Sequence, residues 1–213
     1  MPKDGSATRD SILDAAQSLI LDRGFSGMSL DDIVKQVGIT KGAFFYHFKS
    51  KNDLGKALIR RFAELDSRSY EESCARAEKL SRDPLQQLLI FIGLFEEMFE
   101  GLTEPYPGCL FASYIYELQQ FDSATKKMIA DSFTRWRTLL KEKIDAAVKQ
   151  YPPRIAVDTA SLADAFTVVL EGAFITAKAV DEPKVIAKQL HHFKNYIELL
   201  FSDRAGPARK ARA

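Results

Sequence analysis

Lys41, Gly42, Ala43, Tyr46 and His47 stand within two helical turns of one another: a cation, two residues with little or no side chain, a phenol and an imidazole. These types suit recognition of a polyanion. An ammonium can read a guanine edge, and small residues let backbone approach base edges and thymine methyls. The phenol and the imidazole can donate to phosphate oxygens. Lys51 follows at the start of the next helix, where free N–H groups and the ammonium both favour a phosphate. With Ser29 and Thr40, which open the two helices of this region, the candidate DNA-contact set is Ser29, Thr40, Lys41, Gly42, Ala43, Tyr46, His47 and Lys51.

Two short helices must hold these groups. Leu30, Ile33, Val34 and Val37 recur at i, i+3, i+4 and i+7, one face of an amphipathic helix. Ser29 precedes it as an N-cap, Asp31 and Asp32 suit its N-terminal dipole, and Gly38 stops it. Thr40 caps the second helix, whose Phe44 and Phe48 lie one turn apart on the inner side. Two short helices joined by a turn containing Gly form a helix-turn-helix.

The run GITKGAFFYHFKSKNDL, residues 38–54, resembles the recognition-helix segment of TetR-family transcriptional regulators. The resemblance continues through Ile12–Ala16, Arg23-Gly24-Phe25 and Met28–Ile33, and covers about the first quarter of the chain closely. Phe45 stands where the family usually has Tyr, so a common phosphate contact is missing and Phe45 is left out of the set. The resemblance implies an all-α protein of about nine helices. A three-helix DNA-binding head, residues 1–50, would sit on a ligand-binding and dimerising helical body, residues 51–203. Residues 204–213 form a basic tail without large apolar side chains, expected to be disordered.

The chain has 213 residues, 46% hydrophobic and 28% charged, enough apolar content for a packed core. Its net charge of +1 means that nucleic-acid binding must rest on local placement of charge. No apolar run approaches the ~18–20 residues of a membrane span, and the N-terminus has no apolar signal segment. A cytoplasmic protein without a membrane partner is expected. Two cysteines, Cys74 and Cys109, supply neither a disulfide framework nor a metal cluster, and no cofactor or metal site is expected.

Helix 1 is expected from Thr8 to Arg23, after a mobile segment 1–7. A long helix from Ser50 carries Leu54, Leu58, Ile59, Phe62 and Leu65 inward. Asp83-Pro84 opens a nearly all-apolar helix, TEPYPG breaks the chain, and one helix spans Cys109 to Phe121. Ser123 caps a long helix that Pro152-Pro153 ends. Two apolar helices, 158–180 and 183–202, close the chain. Their excess apolar surface points to a homodimer face of Phe166, Leu170, Ala173, Phe174, Ala177, Leu190, Phe193 and Ile197, packed with a second copy as a four-helix bundle.

Aromatic and sulfur-bearing side chains make the candidate effector pocket: Phe91, Phe95, Met98, Phe99, Cys109, Phe111, Tyr114, Trp136, Phe166 and Phe174, with Glu117 and Glu171 as acidic members. A small hydrophobic effector is the partner that the family resemblance implies. Cys109 follows Pro107-Gly108 at a helix start, where the dipole favours thiolate, and a thiol sensor of electrophiles or oxidants is the alternative regulator. An enzyme is disfavoured. No P-loop or dinucleotide fingerprint occurs, and the adjacent His191 and His192 point to different sides of a helix. The expected function is a ligand-released repressor that binds a near-palindromic operator as a homodimer. A DNA-binding architectural protein without a ligand is the remaining reading.

Overall fold

The computed structural model describes residues 5–202. Among them the chain forms nine α-helices and one 3-10 turn, and no strand. The helices are α1 (Gly5–Gly27), α2 (Leu30–Val37), α3 (Lys41–His47), α4 (Lys51–Leu80), α5 (Pro84–Glu100), α6 (Leu110–Ile115), α7 (Ser123–Gln150), α8 (Thr159–Val180) and α9 (Val185–Phe201). The expected disordered tail, 204–213, lies outside the described residues.

The chain packs as two compact units. The first comprises the chain up to Tyr70 together with Tyr106–Arg135. It contains α1–α3, the start of α4, α6 and the start of α7. The second comprises Glu71–Pro105 and the chain from Trp136 onward.

In the first unit, Ile12, Leu13, Ala16 and Ile20 of α1 are fully buried with Ile33 of α2, Phe44 of α3 and Leu54, Leu58 and Ile59 of α4. Phe25 and Met28 are buried at the joint between α1 and α2. Helix α1 starts earlier than expected, at Gly5 rather than Thr8, so residues 5–7 are helical. It breaks at Gly24, whose φ of 76° is open to glycine at little cost. The inward set assigned to α4 holds except for Leu65, which is exposed.

The helix expected from Cys109 to Phe121 is broken. Helix α6 stops at Ile115 and a 3-10 turn, Leu118–Gln120, follows. The side chain of Glu117, at the break, is bonded to Ser26 rather than continuing the helix surface. Helix α7 is capped by Asp122, not Ser123: Asp122 Oδ1 accepts from Thr125 N at 2.9 Å and from Thr125 Oγ1 at 2.8 Å. The Lys56 ammonium, 2.5 Å from Asp122, and the Thr125 N–H hold that carboxyl well below its ordinary value.

The second unit is built on α5, α8 and α9. Leu88, Phe91, Ile92, Phe95 and Phe99 of α5 are buried with Phe166, Leu170 and Phe174 of α8 and Leu190, Phe193 and Ile197 of α9. Rings meet edge to face or tilted at 5.3 Å for Phe95–Phe166 and 5.4 Å for Phe99–Phe174, geometries that add to simple burial. The Asp83 side chain caps α5 by accepting from Gln86 N at 2.8 Å and is held ionised by the Tyr151 hydroxyl that donates to it. Helix α8 corrects one expectation: its 22 residues, with a mean hydropathy of 1.4 in the best window, are long and apolar enough to cross a membrane. Its inward side chains pack against α9, as in the core helix of a globular unit.

Candidate nucleic-acid interface

The two helices of the helix-turn-helix are defined by local caps. Ser29 Oγ accepts from Asp32 N at 3.1 Å, and Asp32 Oδ2 accepts from Ser29 N at 3.3 Å and Ser29 Oγ at 2.6 Å. This reciprocal capping box fixes the start of α2. The Ser29 bonds also hold the Asp32 carboxyl below its ordinary value. Gly38, at φ 71°, ends α2. Thr40 Oγ1 then accepts from Ala43 N at 3.2 Å and starts α3.

Phe44 and Phe48 are buried and fasten α3 from beneath, with Arg9 5.2 Å over the Phe48 ring. The opposite side of this short helix is open. Tyr46 is 83% exposed and Phe45 49% exposed, with Lys41 and Gly42 also exposed and Ala43 and His47 half-buried. The Tyr46 and His47 rings stand edge to face at 5.0 Å. A helix that anchors two rings and offers a phenol, a phenyl, an imidazole, an ammonium and a bare glycine can enter a groove of the duplex. Phe45 belongs to this open side although residue type alone had set it aside. Its exposure follows from spacing, since Phe44 and Phe48 occupy the inner side.

Besides Thr40, held at the α3 cap, three members of the candidate contact set are already engaged. Ser29 is held in its capping box. Lys41 Nζ lies 2.7 Å from Asp31 Oδ1, both side chains being largely exposed. Lys51 Nζ donates to the Ser26 carbonyl at 3.2 Å and sits 4.7 Å over the Phe25 ring. Burial lowers the pKa of Lys51, and the nearby Glu117 charge opposes that shift.

The residues expected to line one effector pocket divide between the two units. Phe91, Phe95, Met98, Phe99, Trp136, Phe166, Glu171 and Phe174 lie in the second unit, and Cys109, Phe111, Tyr114 and Glu117 in the first. Met98 is 52% exposed. Phe111 stacks edge to face on Phe62 at 4.8 Å, and Tyr114 lies 5.5 Å from Phe25 and 4.7 Å from Phe121. Burial pushes the Tyr114 hydroxyl far above its ordinary value, and it donates to the Gly55 carbonyl at 3.4 Å. Glu117 is a hydrogen-bond acceptor for the α1–α2 joint. Cys109 is only 8% exposed at the N-cap of α6, which suits a small packed apolar group better than a thiol open to electrophiles.

The eight side chains expected at a dimer face are all buried within the single chain. A side chain already covered by its own core has no area left for a second copy. The same two helices leave other apolar residues open: Val168 at 68% and Ile175 at 59% exposure on α8, and Leu199 at 62% on α9. Ala165, Val168, Gly172, Ile175 and Ala179 recur at three- and four-residue intervals, one continuous stripe of α8.

Comparison with known proteins gives this arrangement its family. Residues 12–58 match the family described as bacterial regulatory proteins, tetR family, and residues 84–193 match the tetracyclin repressor-like C-terminal domain. The transcriptional regulator AcuR of Cereibacter sphaeroides is 25% identical over 177 residues, covering 82% of this chain and 78% of that protein. The HTH-type transcriptional regulator AcrR of Shigella flexneri is 31% identical over 155 residues, covering 68% of this chain and 67% of its own length. In three dimensions the chain is similar to a TetR-family transcriptional regulator from Agrobacterium tumefaciens, with a TM-score of 0.75, 24% identity, and coverage of 93% of this chain and 100% of that one. Its head, its helical body and both family matches agree: the chain belongs to the TetR family of transcriptional regulators.

Proposed function

We propose that the chain is a ligand-released repressor that reads a near-palindromic operator as a homodimer. The observation that carries this reading is the open side of α3, with Phe45 and Tyr46 exposed above the buried Phe44 and Phe48. In the proposed complex Lys41 reads a guanine edge after leaving Asp31. Gly42, Ala43 and Phe45 lie against backbone and thymine methyls, and Tyr46 and His47 donate to phosphates. Thr40 brings the N-terminus of α3 to the groove. DNA as the target places the protein's work in the cytoplasm.

Two copies of α3 about 34–36 Å apart, or a multiple of that, match successive major-groove faces of a duplex. The α8 stripe centred on Gly172, with Tyr196 and Leu199 of α9, is the proposed two-fold face. It is apolar and continuous and, apart from the half-buried Ala165, exposed among the described residues. A groove of about 520 Å³ lined by Arg154, Ile155, Tyr196, Leu199 and Leu200 continues it.

The proposed effector is a small hydrophobic molecule received among the aromatic rings of Phe91, Phe95, Phe99 and Phe166. Such a ligand releases DNA only if it binds more tightly to the arrangement with mis-spaced heads. Selection of bound fragments from genomic DNA tests the operator reading. A thermal-shift screen then seeks compounds that raise the melting temperature and weaken operator binding together. A chain that selects no fragment at low ionic strength contradicts the repressor reading.

A further inference from the structure

The joint between α1 and α2 is gripped from two sides. Gly24, Phe25, Ser26 and Gly27 make the bend that carries α1 into the helix-turn-helix. On one side stands Glu117, distant in sequence. Its Oε2 accepts from Ser26 N at 2.9 Å and from Ser26 Oγ, and Gln120 Nε2 donates to the same oxygen at 2.7 Å. Gln120 Nε2 also donates to Ser26 Oγ. The carboxylate comes so close that a Cβ on Gly24 would lie 2.7 Å from Glu117 Oε1. Gly24 is favoured by its own φ, and its missing side chain leaves room for the Glu117 carboxylate.

On the other side stands Lys51. Its ammonium holds the Ser26 carbonyl and covers the Phe25 ring. That ring packs on Tyr114 and Phe121, and a Cβ on Gly55 would lie 2.9 Å from it. Ser26 therefore has its N–H and hydroxyl directed to Glu117 and its carbonyl to Lys51. A half-buried Lys51 so placed is turned toward the joint instead of outward to a phosphate.

We infer that Glu117 and Lys51 are positioning residues for DNA reading: by holding Ser26 between them they set the angle at which α2 and α3 leave α1. Neither touches DNA in this assignment. The inference rests on the operator reading proposed above and adds the residues that aim the reader helix. A wrong angle at the joint moves every contact of α3 at once, so sequence discrimination suffers more than folding does. Weak binding to arbitrary duplex depends on charge alone and tolerates the error.

The test uses the full chain, the selected operator and a random duplex of equal length. Affinities are measured by fluorescence anisotropy across a salt series, and each variant is melted in parallel. Glu117→Ala is expected to lower the preference for operator over random duplex by about tenfold to 100-fold, the range for losing hydrogen bonds to a charged group. Glu117→Gln keeps an oxygen acceptor at the same reach and should recover most of that preference. Ser26→Ala combined with Glu117→Ala should be little worse than Glu117→Ala alone, because both remove one interaction. Lys51→Met should lower the preference while leaving the slope of log K against log salt unchanged.

A folded Glu117→Ala protein with wild-type preference overturns the role of Glu117. A fall of about one unit in the salt slope for Lys51→Met, with preference kept, makes Lys51 a phosphate ligand and overturns its place at the joint. If the wild-type chain itself shows no preference, the operator reading falls first, and that outcome is distinct from either of these.

Discussion

Ile175 and Phe174 are neighbours on α8, about 100° apart around the helix, yet one is exposed and the other buried, and this gives a sharp test of the dimer face. Ile175 is 59% exposed and Phe174 only 7%. Ile175→Ala removes three carbons, each contributing about 0.8 kcal/mol when fully buried. Scaled by the exposed fraction, covering them contributes about 1.4 kcal/mol per copy. A two-fold interface contains the residue twice, so the loss is about 3 kcal/mol, roughly 100-fold in the dimer dissociation constant. A dilution series by analytical ultracentrifugation reads that constant directly. Operator affinity should fall in step once the protein is diluted below it. The melting temperature, extrapolated to low concentration where wild type is also dissociated, should barely change. Phe174→Ala should do the reverse, costing about 3–5 kcal/mol of fold stability with little effect on association of the folded fraction. An Ile175→Ala protein that dimerises like wild type, or a folded Phe174→Ala protein that does not dimerise, would refute the assigned face.

The remaining predictions concern the head and its charges. Asp31→Asn frees Lys41 and removes a negative charge beside the proposed DNA face, so affinity for all duplexes should rise; titration by anisotropy at several salt concentrations checks it. The exposed Lys41–Asp31 pair contributes little to folding, so melting should change by less than about 1 kcal/mol in equivalent stability. Ser29→Ala breaks the capping box and should cost about 1 kcal/mol, a fall of about 2–4 °C in melting temperature. Asp32, Asp83 and Asp122 all have lowered pKa values in the folded chain. Depressed carboxylates stabilise above the unfolded value and lose that contribution as pH falls through the folded one. Stability from this source should hold down to about pH 4 and decline below it, measured by denaturant titration at each pH. Ser29→Ala should blunt the Asp32 part of that decline.

The helix-turn-helix was legible because its determinants lie within a turn or two of one another. Ser29, Gly38 and Thr40 act on N–H groups three residues away or on their own φ, and Phe44 and Phe48 share a face by period alone. The helical body was legible in number and approximate extent for the same reason, since its prolines mark most of its breaks. Glu117 was misread because its partner, Ser26, lies 91 residues away and nothing in the surrounding residues points there. Lys51 carried the right charge at the right helix start for a phosphate, and only packing turned it to the Ser26 carbonyl.

The sequence alone therefore determined an all-helical chain with a DNA-reading head. What only the tertiary structure decided was which apolar face each body helix turns inward. Helix α8 has large apolar side chains around most of its circumference, with Phe174 beside Ile175, so periodicity offers two faces and no means of choosing. The choice is made by where α5 and α9 pack, because burial is a property of neighbours in space. The face left exposed among the described residues, Val168 to Ala179, is the one proposed to meet a second copy.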